Sequence, residues 1–286
     1  MLLPESRLYS FIDQNTDIAV HFFEGQKLIY DLALIHDLRN ETFAHLRGTI
    51  LSLQPMIAML KPGESLGLYL DIDQPFVRFK LETNFDGLMR TLLLPEDGTG
   101  FPSLLNGIAR ITKLQPNKKE PYNSAVSLEN LPADEIANLF LRESYQTPGH
   151  VIVSPIVDQS AMILHLPKVK TNKEEVIERP TLDFQVQRLT SAFQKLFESN
   201  TTDQQTIVDE MAKHDLLFLG SREVKFQCSC SRERMSLGIQ SLAQSTGLED
   251  LFPNGELEIE TRCDYCKNKY VFTKKEIETA LNPSLH

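Results

Sequence analysis

Phe43, Leu46, Ile50, Leu53, Ile57 and Leu60 recur at spacings of three and four, which predicts one amphipathic helical stripe over residues 41–61. Pro55 lies within that stretch and lacks the N–H that a helix interior uses, so two helical pieces are expected. The period then changes. Leu66, Leu68, Leu70 and Ile72 alternate with Gly67, Tyr69 and Asp71, and Val77, Phe79 and Leu81 alternate with Arg78, Lys80 and Glu82. Asp73, Gln74 and Pro75 supply turn chemistry between the two runs, which predicts an antiparallel pair. Residues 133–143 return to helical spacing, and the apolar run Val151–Leu166 has room for one or two strands. Helices and strands do not alternate strictly, so the pattern predicts an α+β class rather than a doubly wound sheet.

The character shifts after residue 170. Residues 173–179 are rich in charge and end at Pro180, as a linker would. Beyond them Leu182, Val186, Leu189, Phe193 and Leu196 share one helical face. Thr202 and Gln205 predict a capping box for a second helix carrying Ile207, Val208 and Met211. Such short helices are marginal alone in water, so their stripe needs a partner surface. Further on, Ser231 is placed to cap a helix bearing Met235, Ile239 and Leu242, with Gly247 near its end. Residues 256–262 alternate as a strand with Leu257 and Ile259 inward, residues 269–272 form a second short strand, and Thr273 with Glu276 caps a last helix. These shifts divide the chain into an amino-terminal mixed α/β domain with an antiparallel sheet (1–170), a helical linker (171–225) and a small carboxy-terminal domain (226–286).

Composition narrows the function. The chain has 286 residues, 41% hydrophobic and 24% charged, which excludes disorder, collagen-like repeats and a disulfide-dense mini-scaffold. A net charge of −10 speaks against a dominant nucleic-acid or anionic-membrane surface. No apolar run approaches the ~20 residues that span a bilayer. The first residues, MLLPESRLYS, carry no secretory pattern, so a cytoplasmic protein is expected.

The cysteines are confined to one end. Cys228, Cys230, Cys263 and Cys266 are the only four, and the first 227 residues contain none. In a cytoplasmic protein such crowding points to metal binding or redox chemistry rather than a standing disulfide framework. Tetrahedral zinc with Zn–S near ~2.3 Å requires any two ligand sulfurs to lie within ~4.6 Å. C-x-x-C meets this as a knuckle after a strand. C-x-C does not while extended, because its Cβ atoms would lie ~6.6 Å apart at ~3.3 Å per residue, so Ser229 must bend. No histidine lies between 226 and 285, which makes a zinc site of four cysteines the natural closure. A structural zinc ribbon is one reading. The other starts from zinc holding its ligands as thiolates, the oxidisable form, while a sulfur in a disulfide is no longer a good ligand. A ~60-residue domain has roughly 3–9 kcal/mol of stability, and zinc contributes on the order of 10–16 kcal/mol to folding in small metal domains. Oxidation would then become unfolding.

The run Phe226-Gln227-Cys228-Ser229-Cys230-Ser231-Arg232-Glu233-Arg234, followed by Cys263-Asp264-Tyr265-Cys266, resembles the heat-shock protein 33 family of redox-regulated holdase chaperones. Agreement continues in the same order at Gln14-Asn15-Thr16, Met59-Leu60-Lys61, Glu120-Pro121-Tyr122 and Gln146-Thr147-Pro148. The resemblance implies an ATP-independent chaperone, not an enzyme, that is inactive while reduced with one Zn2+ on Cys228, Cys230, Cys263 and Cys266. It implies that hypochlorous acid, or peroxide with heat, links Cys228 to Cys230 and Cys263 to Cys266. Zinc then leaves, the carboxy-terminal domain unfolds and the linker loses its order. The exposed apolar surface binds unfolded or partly folded client proteins, and the oxidised form is a homodimer. The Leu182–Leu196 stripe is the surface expected to be released.

Two other classes compete. A nucleic-acid-binding zinc ribbon needs basic and aromatic residues around its knuckle, whereas residues 226–286 hold seven basic against nine acidic side chains, a net −2. A thiol-disulfide oxidoreductase would place its C-x-x-C at a helix start with an unligated thiol. Here the pair follows a strand and two further thiols are available. The histidines at 21, 36, 45, 150, 165 and 214 lack ligand spacing and are expected in core or surface roles. Glu256, Glu258 and Glu260 read as the solvent face of a strand, and Arg232 and Arg234 as solvated charges at a helix start.

Overall fold

The computed structural model describes residues 3–167 and 180–281. The charged stretch 173–179 lies outside them. The chain forms two units, residues 1–226 and 227–286.

The first unit begins with β1 (Arg7–Asp13), β2 (Ile18–Glu24), α1 (Gln26–Ile35), α2 (Asn40–Leu53) and a 3-10 helix over Gln54–Met59. Strands β3 (Ser65–Ile72), β4 (Val77–Asn84), β5 (Leu88–Leu94), β6 (Leu104–Leu114) and β7 (Tyr122–Pro132) follow, then a short α3 (Ile136–Leu139). The unit closes with β8 (Gly149–Val153), β9 (Gln159–His165), α4 (Leu182–Ser199), α5 (Gln204–Ala212), β10 (Leu217–Glu223) and β11 (Lys225–Phe226). One sheet has the order β10-β1-β2-β9-β8 and is antiparallel throughout. The other has the order β11-β5-β4-β3-β6-β7 and is antiparallel except for the two-residue parallel contact of β11 with β5. The expected α+β class with antiparallel sheets is what forms. No helix among the described residues is long and apolar enough to cross a membrane.

Two apolar cores use the five-stranded sheet from opposite faces. Leu8, Phe23, Met162 and Leu164 join α1, α2 and the inward residues of the six-stranded sheet, including Leu68, Leu70, Phe79 and Ile111. Tyr9, Phe11, Val20, Phe22 and Ile163 join Leu189, Phe193 and Leu196 of α4 and Ile207 and Met211 of α5. The predicted 41–61 stripe enters the first core, and Pro55 has the expected effect: α2 stops at Leu53 and the chain continues as a 3-10 helix. The predicted 182–196 stripe enters the second core.

Caps fix the ends of α4 and α5, and polar ties hold α4 to the sheet and the two helices to each other. The Thr181 hydroxyl accepts from the Phe184 amide at 3.2 Å, and Asn200 ends α4 in the left-handed region at φ 47. Asp203, not Thr202, caps α5, accepting from the Thr206 amide at 2.8 Å; a carboxylate is the stronger acceptor for orphan helix amides. Arg188 donates to Asp13, 2.8 Å away, whose side chain is only 1% exposed. Burial alone would raise the Asp13 carboxyl, but hydrogen bonds from Thr16, Arg188 and the Asn15 amide hold it below the usual range. Glu210 takes charge-assisted bonds from Lys195 at 2.6 Å and Lys213 at 2.7 Å, joining the two helices.

The second unit comprises α6 (Arg232–Thr246), α7 (Leu248–Leu251), β12 (Glu258–Arg262), β13 (Lys269–Thr273) and α8 (Lys274–Leu281). Ser231 caps α6 and Gly247 ends it at φ 99, a conformation open to glycine. Thr273 and Glu276 form the reciprocal capping box of α8. The core is thin: Ile239, Ala243, Phe252, Phe272 and Ile277 are its buried members. Two inward assignments are corrected. Leu242 is 48% exposed because the smaller Ala243 takes the inward place, and Leu257 is 73% exposed because it precedes the β12–β13 ladder, leaving Ile259 to face the core.

Glu24 generates a pH prediction. It is 1% exposed and accepts from the Gln26 amide, and burial pushes its carboxyl up to about 7. A carboxyl raised on folding takes up protons as the chain folds, so its contribution is fully present below the unfolded value near 4 and is lost as pH rises through about 7. Glu24→Gln keeps the acceptor and removes the charge. Urea unfolding should show the variant more stable than the parent at pH 8 by on the order of 3–4 kcal/mol, and equal to it at pH 4. An unchanged difference between those pH values would refute the assignment.

Candidate metal centre

The C-x-x-C lies at the tip of the β12–β13 hairpin. Arg262 and Lys269 make its last strand pair, and the loop Cys263–Asn268 closes on itself. The Cys263 amide donates to the Asn268 carbonyl and the Lys267 amide to the Cys263 carbonyl, both at 2.9 Å. Lys267 adopts φ 62 to make that turn. Cys263 and Cys266 are thereby held on one side of a tight knuckle.

The C-x-C lies in irregular backbone ahead of α6, so its two side chains escape the strand spacing that would separate them. The required bend at Ser229 has a visible cause. One nitrogen of the Arg234 guanidinium donates to both the carbonyl and the hydroxyl of Ser229, each at 2.8 Å, while the Arg234 amide donates to the Ser231 hydroxyl at 3.3 Å. The start of α6 thus grips the residue between the two cysteines. Arg234 is a clamp on the loop, not the solvated charge expected from sequence.

All four sulfurs lie within 4.8 Å of one another, Cys228 and Cys263 at 3.7 Å, Cys230 and Cys266 at 3.3 Å. All four are free thiols. A tetrahedron with ~2.3 Å metal–sulfur bonds has edges of ~3.8 Å, so this spacing suits four-coordination of one cation. Cys263 is buried and the other three are partly exposed. Four thiolates crowded this closely would repel one another, and a central cation would make the arrangement favourable. The residues fit the group, and the four cysteines together can hold a metal ion.

The surroundings distinguish the sulfurs. Tyr270 on β13 brings its hydroxyl to 3.1 Å from Cys230 Sγ. Burial alone would raise the Cys230 thiol, but hydrogen bonds from Tyr270 and Cys266 outweigh it and leave this thiol below its ordinary value. The same bond pushes Tyr270 up to about 12. Burial pushes Cys228 and Cys266 up. Arg232 donates to the Val271 carbonyl at 2.8 Å, pairs with Glu276 at 2.8 Å and stacks over Phe272, bracing the hairpin. Sequence reading missed Tyr270, whose only signal was an aromatic residue just after the second pair. Among the described residues the potential ligand group contains no histidine, and three histidines have partners of their own: His21 meets Ser10, His36 meets Thr91 and His45 meets the Phe101 carbonyl.

Against known proteins, the family model described as "Hsp33 protein" matches residues 6–273. This chain belongs to the Hsp33 family. A 33 kDa chaperonin of Agathobacter rectalis is 26% identical over 165 residues, 56% of this chain and 56% of that protein. A 33 kDa chaperonin of Pseudoalteromonas translucida is 21% identical over 289 residues, 98% of this chain and 100% of that protein. The alignment thus spans little more than half the length of the first relative and all of the second. The crystal structure of a 33 kDa chaperonin from Thermotoga maritima, a heat shock protein 33 homologue, has the same fold: TM-score 0.73 at 16% identity, over 98% of this chain and 99% of that one.

In this Hsp33-family chain the segment between Cys228 and Cys230, two members of the candidate site, carries a bend that Arg234 bonds to directly. Arg234→Ala removes both bonds to Ser229. Loss of an outer-shell support of this kind typically weakens metal binding ~10–100-fold. Competition with a chromogenic chelator under reducing conditions should show a fall of that size for added Zn2+, and unaltered affinity would show that the bend holds itself.

Proposed function

We propose that this chain is a redox-regulated, ATP-independent holdase chaperone of the cytoplasm whose reduced form is silenced by one Zn2+ on Cys228, Cys230, Cys263 and Cys266. The observation that carries this reading is the convergence of the chain's only four thiols at one point. Zinc supplies the positive charge that lets four thiolates share that space.

Oxidation joins Cys228 to Cys230 and Cys263 to Cys266. With hypochlorous acid each pair loses two electrons: the first sulfur takes chlorine and releases hydroxide, the second displaces chloride, and a disulfide remains. A sulfur so bonded no longer serves as a thiolate ligand. The second unit has five buried apolar core members to fall back on. Zinc's contribution of on the order of 10–16 kcal/mol exceeds the roughly 3–9 kcal/mol expected of ~60 residues, so the unit unfolds when the metal goes.

The linker, residues 171–225, is where unfolding becomes binding. In the reduced form Leu189, Phe193 and Leu196 are buried against Phe22 and Ile163. Release of α4 and α5 bares both surfaces, and exposed apolar patches of that size bind unfolded or partly folded proteins. The oxidised form acts as a homodimer.

The test pairs two measurements on the full chain. Zinc release and suppression of aggregation of a heat-denatured protein are followed before and after hypochlorite. About one zinc per chain should be released, and suppression should appear only in the oxidised sample. Equal suppression by the reduced, zinc-loaded protein would overturn the switch.

A further inference from the structure

We propose that Tyr270 is a positioning residue that acts through Cys230, its phenol donating a hydrogen bond that restrains the attack of this sulfur on oxidants. The inference rests on the redox reading above and names the residue that sets its threshold. The Tyr270 hydroxyl is 3.1 Å from Cys230 Sγ, within bonding range for a sulfur acceptor. A sulfur held as thiolate carries no proton, so the phenol must be the donor. Its hydrogen bond draws electron density from the lone pair that would attack an oxidant, and nucleophilicity falls with it.

The donor is held in place. Tyr270 sits on β13 directly opposite Thr261 of β12, and its ring packs against the core of Ile239, Ala243, Phe252, Phe272 and Ile277. Its neighbour Val271 is fixed through its carbonyl by Arg232. Cys230 is partly exposed, so a small oxidant reaches it, and the bond from Tyr270 is the restraint it meets there. Tyr270 is not needed to close the cluster, since the four sulfurs converge through the knuckle and the Ser229 bend.

Hydrogen peroxide makes the effect measurable, because its attack on a thiolate is slow. Cys230 sulfur attacks one peroxide oxygen, giving a sulfenic acid and hydroxide. Cys228 thiolate then displaces a second hydroxide and forms the disulfide. Two thiolates lose two electrons in all, and one peroxide becomes two hydroxides.

The test uses the reduced, zinc-loaded full chain. Tyr270→Phe should accelerate peroxide-driven zinc release and iodoacetamide alkylation of Cys230, read by peptide mass spectrometry, by a factor of about three to ten, the scale on which thiolate nucleophilicity follows basicity. Zinc affinity without oxidant should stay within about twofold. 3-Fluorotyrosine at position 270 keeps the ring and strengthens the donor, so it should slow both rates even where Tyr270→Phe proves unstable. Rates for both variants within twofold of the parent, or a fluorotyrosine protein faster than it, would overturn the role of Tyr270. A parent protein that keeps its zinc under oxidant would instead overturn the switch, and the alkylation rates would still decide this assignment.

Discussion

Four sulfurs within 4.8 Å of one another impose the constraint on which the second unit is built. Thiols gain little by touching, and thiolates repel, so the cluster cannot hold itself together. The backbone is arranged around it regardless: a hairpin tip folds back on its own carbonyl, and an arginine bends the segment before α6. Few apolar side chains reinforce this framework. Phe272 lies on β13, directly after the knuckle, and Ile277 on α8, so one hairpin carries both the C-x-x-C and a member of the apolar core. A unit so constructed is cooperative by necessity, because its core alone buries too little surface to offset the entropy of ordering about sixty residues.

The first unit has the opposite economy. Its five-stranded sheet is packed on both faces, and buried apolar side chains line it both under α4 and α5 and under α2. A helix pair on such a surface is held by area, which is non-directional, and by a few polar ties, which are not. Asp13 with Arg188, and Glu210 with Lys195, supply direction. Removing one partner of the nearly inaccessible Asp13 pair would leave a buried charge, so this tie enforces one docking position more than it adds stability.

Strands that expose one face were readable. β3 and β4 form the expected antiparallel pair, with Leu68 opposite Leu81 and Leu70 opposite Phe79, because these apolar positions alternate with Tyr69, Asp71, Arg78, Lys80 and Glu82. β1 and β2 gave no such signal. β2 is buried along its whole length, with Phe22 serving one core and Phe23 the other, so alternation disappears. β7 failed for another reason: Asn123, Ser124 and Glu129 break up its apolar pattern, so an edge strand laddered to β6 is hard to recognise although Leu128 reaches the first core. At the candidate metal site the cysteine pairs were legible at once, because four-ligand geometry restricts which spacings work. Arg234 and Tyr270 were not, since an arginine at a helix start and a tyrosine in a strand are ordinary until their neighbours in space are known.

Residue order was enough to single out the four cysteines as one candidate metal group, the helical stripes, the break at Pro55 and the Thr273–Glu276 cap, all of which depend on residue type and short spacing along the chain. Which sulfur meets a phenol, what bends Ser229, and the pairing of Asp13 with Arg188 emerge only from packing in three dimensions. The reason is physical. Local periodicity records which side of an element is apolar, whereas a hydrogen bond between distant positions exists only once packing has fixed both ends.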